Sequence, residues 1–256
     1  MTSSSIFALI LAAASASASA SACACADTPV LPATTGWHTS AELGAITTSG
    51  NTAGTSFTGK IDARQEIDRW SNQYIASGFY KEDVRRQNDG SSTSVRTARR
   101  FAFSSKFAYR LGDNDDRAFM LATHVEDAFG AYSEYSTLGV GRGTRWVQTL
   151  DKTFDVELGP GYFSGARQNG DIENGLTVRG AAALKWQLSP VALLSNTVSV
   201  EKGTSNVHSS AETALSTKIN GTMQMKAAFV ARNDSNVPEF KKNTDTQTSV
   251  TLVYSF

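Results

Sequence analysis

The sequence predicts an all-β protein, a single antiparallel transmembrane β-barrel of about 12 strands. Segments in which polar and apolar residues alternate recur from residue 37 to residue 256, and polar turns separate them. Each segment is about 11 to 15 residues long, which is enough to cross a bilayer at a tilt. An even number of strands also brings both chain ends to the same side of the membrane.

The closing segment shows the alternation most clearly. Small Ser and Thr residues occupy most odd positions of this segment, and the even positions carry the bulky residues Val250, Leu252, Tyr254 and Phe256. Odd and even positions, which we call the two parities, face opposite sides of a strand. A soluble protein would leave this strand as an unprotected sheet edge, whereas a closed barrel pairs it with the first strand. We expect the barrel-assembly machinery to bind the chain through the same four residues.

The second segment indicates what the barrel contains. Phe57 and Ile61 have its apolar parity, whereas four successive positions of the other parity are charged. Charges of both signs require water or one another, so this face is predicted to line the lumen. The residues that mark the predicted strands lie within 37–45, 57–67, 70–80, 101–110, 117–127, 135–148, 153–163, 176–187, 191–201, 211–219, 223–232 and 248–256.

Connection lengths and aromatic residues distinguish the two ends of the predicted barrel. Long polar loops are predicted at 82–93, 164–174, 202–209 and 233–243, opposite the chain termini, as in barrels with short periplasmic turns. Aromatic rings favour the membrane interface. The predicted periplasmic girdle consists of Trp37, Trp70, Trp146, Trp186, Tyr254 and Phe256, and a second girdle of Tyr80, Tyr135 and Tyr162.

The first 26 residues are predicted to be a cleaved signal peptide, because an apolar run precedes the small-residue pattern Ala24, Cys25, Ala26. Residues 27–36 then form a short periplasmic linker before the barrel at 37–256. Lipidation of Cys23 is an alternative, although Ala20 stands where a bulky aliphatic residue is usual. The longest apolar run is too short for a transmembrane helix.

Composition and motifs exclude several classes of function. The 24 basic and 24 acidic residues include no basic block, so nucleic acid is not an expected partner. No nucleotide, zinc-ribbon or zincin motif is present, and neither a cofactor nor a metal is expected. Gly139, Gly141 and Gly143 share one face of a strand, a pattern that favours close packing inside a barrel.

The inward parity leaves two interpretations of the lumen open. Its charges line a water-filled pore and set ion selectivity, or they bridge a narrow or blocked lumen. A barrel of about 12 strands is intermediate between filled and open barrels, so size does not decide. The predicted lumen charges are Lys60, Asp62, Arg64, Glu66, Lys106, Arg110, Glu126, Asp155, Glu157, Arg179, Lys185, Glu212, Lys218, Lys226 and Arg232.

Two histidine constellations have residue types used in catalysis. His208 and Ser210, with Asn206, match a Ser-His-Asn hydrolytic site, although a loop rich in Ser and Thr produces the same combination by composition. His124 and Glu126 share a face of the fifth strand, and we interpret them as a hydrogen-bonded lumen pair. No residue is assigned a catalytic role.

Several stretches resemble the YdiY-like family of salt-induced outer-membrane proteins, a domain of unknown function. The resemblance covers about residues 37–256, and the matching stretches are 42–44, 48–52, 157–162, 212–215, 233–238, 241–242, 244–246 and 249–256. It implies an outer-membrane β-barrel, and it carries no catalytic residue onto this chain.

These observations predict a barrel in the outer membrane of a Gram-negative bacterium, with outer-membrane lipids around it. We expect a non-enzymatic protein that acts as a small passive channel or as an envelope protein of salt or osmotic stress. The alternatives are a lipid-modifying barrel enzyme that uses His208 and Ser210, and a soluble periplasmic β-protein.

Overall fold

The computed structural model describes residues 35–48, 53–86, 92–112, 115–204, 206–237 and 243–256. The predicted signal peptide and most of the predicted linker lie outside these residues. Within them the chain forms twelve strands: β1 (Gly36–Thr48), β2 (Ala53–Ile67), β3 (Trp70–Arg86), β4 (Ser92–Arg110), β5 (Arg117–Asp127), β6 (Tyr132–Gln148), β7 (Lys152–Arg167), β8 (Ile172–Ser189), β9 (Ala192–Lys202), β10 (Val207–Lys218), β11 (Met223–Asp234) and β12 (Thr244–Ser255).

The strands form one closed antiparallel barrel in which each strand pairs with its neighbours in sequence and β1 pairs with β12. Ser40 is opposite Ser255 and Leu43 is opposite Leu252 at this seam. Thr39 and Phe256 exchange backbone hydrogen bonds of 2.9 and 3.0 Å. The predicted fold class is confirmed. We call the end with Gly36 and Phe256 the terminal end and the opposite end the loop end.

The outer wall of the barrel is apolar. Side chains alternate between the two faces of a strand, and the outward positions carry Leu43, Phe101 and Leu176, which are 71%, 56% and 76% exposed. Contiguous apolar surface around a whole barrel is typical of a protein that contacts lipid. Among the residues that the structure describes, no helix is long and apolar enough to span a membrane.

Two predicted loops are shorter than expected. β3 extends to Arg86 and β4 begins at Ser92, so most of 82–93 is strand, and β7 and β8 leave only 168–171 as a turn. Gly170 has φ of 90° in this turn, a conformation that favours glycine. The prediction was wrong because strand ends that project beyond a membrane are polar on both faces and look like loops in sequence. Residues 238–242 of the last predicted loop lie outside the described part.

Apolar side chains of β3, β4 and β5 pack together in the terminal half of the lumen. Ile75, Ala108, Phe119 and Leu121 face inward and form a buried cluster. Phe119 lies over Gly141, where an added Cβ would be 2.8 Å from the ring and 2.4 Å from the carbonyl oxygen of Leu158. The inward glycine face therefore permits close packing, as the sequence predicts, and the barrel interior is a core at this level.

Candidate functional site

The inner wall carries the predicted lumen charges except Glu126. Arg110 and Lys218 have the inward parity but lie exposed at the terminal rim, because they are the last residues of β4 and β10. The other inward charges lie deeper in the barrel: Lys60, Asp62, Arg64, Glu66, Lys106, Asp155, Glu157, Arg179, Lys185, Glu212, Lys226 and Arg232.

Glu126 does not face the lumen, and its prediction as a lumen charge was wrong. It lies on the outward parity of β5 with His124, and their side chains are 60% and 50% exposed. The register places His124 opposite outward-facing Phe103. The interpretation of His124 and Glu126 as a lumen pair was wrong, since their imidazole Nε2 and carboxylate Oε1 lie 3.9 Å apart on the outer wall. His124 Nδ1 is 2.9 Å from Ser136 Oγ on the same face.

A group of ion pairs projects into the lumen at mid-height from β4, β7 and β8. Lys106 on β4 pairs with Glu157 on β7, although β5 and β6 separate these strands in the wall. Arg179 Nη1 lies 3.7 Å from the second carboxylate oxygen of Glu157. The Lys106 ammonium also lies 5.1 Å from the centre of the Phe119 ring, a cation–π contact. The charges thus join the apolar cluster on β3, β4 and β5 to side chains of β7 and β8.

A second group of charges lies behind the seam between β1 and β12. Lys226 Nζ is 3.5 Å from Glu42 Oε1 and 3.2 Å from Glu212 Oε1, and Lys60 Nζ is 3.6 Å from the same Glu42 oxygen. Glu42 was not among the predicted lumen charges, although its parity with Ser40 and Gly44 indicates an inward side chain. It is the acceptor that joins β2 and β11.

A third group lies near the terminal end. Arg117 Nη2 and Arg145 Nε lie 2.6 and 2.8 Å from Asp155 Oδ1. Both arginines were missing from the predicted lumen set, because they stand near strand ends whose limits the sequence does not define. The three groups together pair acidic and basic side chains through most of the barrel height.

A cavity of about 290 Å³ opens inside the barrel at the loop end. We call it the loop-end cavity. Its wall includes two arginines that face inward from β4 and β11, Arg100 and Arg232, which are 3% and 4% exposed. An aromatic wall lies beside them and consists of Tyr132, Tyr135 and Phe163, whose ring centres are 5.1 to 6.2 Å apart. Tyr135 was predicted to belong to an outer girdle, and this was wrong because its parity on β6 points it inward.

Acidic side chains around the loop-end cavity have partners of their own. Asp127 Oδ2 accepts a hydrogen bond of 3.1 Å from Arg100 Nη1, and its Oδ1 accepts bonds from the backbone amides of Phe129 and Gly130. Glu173 accepts bonds from the Tyr132 hydroxyl and from Arg167. Glu201 accepts a bond of 2.9 Å from the Thr177 hydroxyl.

His208 also lines the loop-end cavity. Its Nδ1 is 2.9 Å from Asp234 Oδ1, and the Asn206 amide donates to the same oxygen, so His208 and Asn206 converge on Asp234. Ser210 has the same inward parity and is 6% exposed. His208 and Ser210 thus lie on the opposite side of the wall from the lipid-facing residues. Within the described ranges no group of three or more His, Cys, Asp or Glu side chains could hold a metal ion.

The predicted girdle residues lie on the outer wall at the terminal end. Their exposed fractions range from 38% for Trp186 to 71% for Phe256. Neighbouring rings contact each other in this belt: Trp70 and Tyr109 have centres 4.9 Å apart, and Trp146 and Phe154 have centres 6.1 Å apart. Trp37, Tyr254 and the other members share the outward parity. Their contact with a membrane interface stays a prediction.

Comparison with known proteins agrees with this architecture. The chain is similar to the uncharacterized protein YdiY of Escherichia coli (strain K12), with 28% identity over 166 residues, which is 64% of this chain and 65% of YdiY. The match thus spans just under two thirds of that relative.

Two solved barrels share the fold at low identity. An outer membrane channel from Pseudomonas putida F1 has a TM-score of 0.55 and 10% identity, with 90% of this chain and 98% of that chain covered. The NanC porin has a TM-score of 0.51 and 9% identity, with 85% and 98% covered. The family model described as "Protein of unknown function, DUF481" matches residues 41–256, and the chain belongs to this family.

Proposed function

We propose that this protein resides in the outer membrane of a Gram-negative bacterium, that its lumen is closed to bulk ion flow, and that it works through the loop-end cavity. The apolar outer wall supports the membrane location, and the barrels of similar fold are named as an outer membrane channel and a porin. Membrane fractionation tests the location: the protein should require detergent for release. Recovery in the soluble fraction without detergent would favour the soluble periplasmic alternative.

One observation supports the proposal that the lumen is closed. Lys106, Phe119 and Glu157 face inward from different strands, yet they are 9%, 6% and 7% exposed. Side chains that line an open, water-filled channel remain accessible, so this burial indicates that the inward side chains of β4, β5 and β7 pack against one another inside the lumen. The ion pair between Lys106 and Glu157 reaches over the two intervening strands and so lies across part of the lumen.

Conductance of the purified, refolded protein in a planar bilayer tests the closed lumen. We expect insertion without discrete current steps, because mobile ions must displace buried ion pairs to pass. Folding is verified by the change of electrophoretic mobility between heated and unheated samples, and insertion by flotation of the protein with lipid vesicles. Reproducible steps from the unaltered protein, with a reversal potential across a salt gradient, would contradict the proposal.

A small passive channel is the second candidate, and one observation favours it. In the part of the chain that the structure describes, side chains alone fill the lumen, and no strand or loop crosses it. Rotamer changes of side chains occur within nanoseconds at exposed sites, so a side-chain barrier can open without refolding. Steps of low conductance whose frequency rises with voltage would favour this channel over the closed barrel.

The lipid-modifying enzyme remains a separate alternative with its own test. Ser210→Ala should leave lipid hydrolysis at the background level of the unaltered protein, because Ser210 is buried in the lumen. A hydrolysis rate that Ser210→Ala abolishes would establish the enzyme. A role in salt or osmotic stress rests on the family resemblance, and growth of a deletion strain in high salt tests it.

A further inference from the structure

Arg232 is a buried cation with unused hydrogen-bond donors. It is 4% exposed, and in the part of the chain that the structure describes its Nε and Nη1 have no hydrogen-bond partner. Arg100 is 3% exposed, and its Nε also has no partner there. A buried donor without an acceptor is unfavourable, and in native proteins such a donor usually finds an acceptor in the protein, an ordered water or a bound ion.

The two arginines belong to one cavity although their strands are far apart in sequence. Both line the loop-end cavity, and their guanidinium groups are close enough to interact electrostatically. Two like charges repel each other in a buried site. A bound oxyanion between them would satisfy the donors and remove the repulsion, because guanidinium groups bind carboxylate and phosphate oxygens with good geometry.

The acidic residues nearby do not supply these acceptors. Glu212 and Asp245 interact electrostatically with Arg232 and offset its charge, but neither accepts a hydrogen bond from its Nε or Nη1. The four lining carboxylates, Asp127, Glu173, Glu201 and Asp234, already accept hydrogen bonds from Arg100, Arg167, Thr177 and His208. The loop-end cavity therefore offers directional donors rather than an excess of positive charge, and it favours a single oxyanion group.

The remaining wall indicates what carries that group. Tyr132, Tyr135 and Phe163 form an aromatic surface in the same cavity. A volume of about 290 Å³ suits a small molecule and is too small for a polymer. We propose that the loop-end cavity binds a small organic oxyanion, with its carboxylate or phosphate held by Arg100 and Arg232 and its body against the aromatic wall.

Calorimetric titration of the refolded full-length protein in detergent tests this site, with benzoate, its neutral analogue benzamide and inorganic phosphate as probes. We expect saturable benzoate binding at millimolar concentration and binding of benzamide weaker by roughly tenfold or more, the effect of losing one charge-assisted hydrogen-bonded contact. Phosphate binding that depends on Arg232 would also support the oxyanion site. Equal binding of benzoate and benzamide, or no binding of either anion, would overturn the proposal.

Variants separate binding from folding. Arg232→Gln should weaken benzoate binding by roughly tenfold or more. The change of electrophoretic mobility between heated and unheated samples shows whether the same variant refolds, so that a loss of binding is distinguished from a loss of folding. Arg145→Gln is the matched control, since Arg145 lies near the terminal end and Asp155 keeps Arg117 as a partner. Unchanged benzoate binding in Arg232→Gln would overturn the proposal.

If Arg232→Gln does not refold, Arg232→Lys provides the test. Lysine keeps the charge but lacks the planar pair of donors, so benzoate binding should still weaken. Benzoate binding equal to that of the unaltered protein would show that the guanidinium is not the ligand. This test does not depend on conductance: an open channel would contradict the closed lumen and leave the binding result standing.

Discussion

Lys226 on β11 places its ammonium 3.5 Å from Glu42 on β1, so that a side chain bridges the strand β12 that lies between them. The paired register of β1 with β12 is short: it runs from Ser40 to Leu43 on β1, next to the hydrogen bonds between Thr39 and Phe256. The Lys226 ammonium lies 3.2 Å from Glu212 as well. This buried ion pair therefore reinforces the seam at which the barrel closes.

Lys226→Met should destabilise the barrel at this seam. The substitution leaves buried Glu42 and half-buried Glu212 with less compensation, and Lys60 still pairs with Glu42, so we expect a loss of about 1 to 3 kcal/mol. The measurement is the free energy of unfolding in urea, in detergent or lipid. Lys202→Gln is the control, because Lys202 is exposed on the outward parity, and surface changes stay within about 0.5 kcal/mol. Equal free energies of unfolding for the two variants would show that the ion pair of Lys226 does not stabilise the seam.

The double variant Lys106→Ser, Glu157→Ser should raise conductance. Both side chains are replaced by smaller ones at mid-height, and the cross-lumen ion pair is lost. We expect current steps in planar bilayers where the unaltered protein gives none. The control is Asp116→Ser, Arg142→Ser, which removes an ion pair of which Arg142 is on the outer wall. Current steps from the control variant, or no current steps from the Lys106→Ser, Glu157→Ser variant, would show that the pair of Lys106 and Glu157 does not close the barrel.

The outer wall was predictable from sequence because contact with lipid makes every second residue apolar. Leu43, Phe57 and Ile61 alternate with polar neighbours, and this pattern defines the strands. β5 is different: Phe119, Leu121 and Val125 face inward in a packed lumen, so both of its faces are partly apolar. Its facing is then ambiguous in sequence, which is why Glu126 was predicted inward.

The loop-end cavity was not predictable for a different reason. Arg100 has the inward parity of Ala102 and Ser104, so its facing follows from the alternation. Its proximity to Arg232 does not follow from the alternation, because β4 and β11 are brought near each other only when the barrel closes. Hydrophobic alternation determines which wall a side chain faces, and the strand number and stagger of the closed barrel determine which residues meet across the lumen.

Gly159→Ala should impair folding more than a glycine substitution elsewhere in the wall. A Cβ at Gly159 would lie 1.9 Å from the carbonyl oxygen of Val140, so the β6–β7 ladder would have to separate. We expect a loss of about 3 kcal/mol or more, or failure to refold. Gly180→Ala is the control, because its Cβ would be 3.8 Å from the nearest atom, Cδ1 of Leu158. Similar urea midpoints for both variants would contradict the close approach of β6 and β7.

The indole rings of the four tryptophans should all lie at the same shallow depth in a bilayer. Trp37, Trp70, Trp146 and Trp186 all lie on the outer wall near the terminal end, and indole rings favour the membrane interface. Fluorescence of the protein in vesicles should be quenched strongly by lipids brominated near the headgroup and weakly by lipids brominated near the chain ends. Trp146→Phe should reduce the quenched signal without a change in depth. Strongest quenching from the bilayer centre would show that this belt is not an interfacial girdle, and no quenching by either lipid would show that the barrel does not span the membrane.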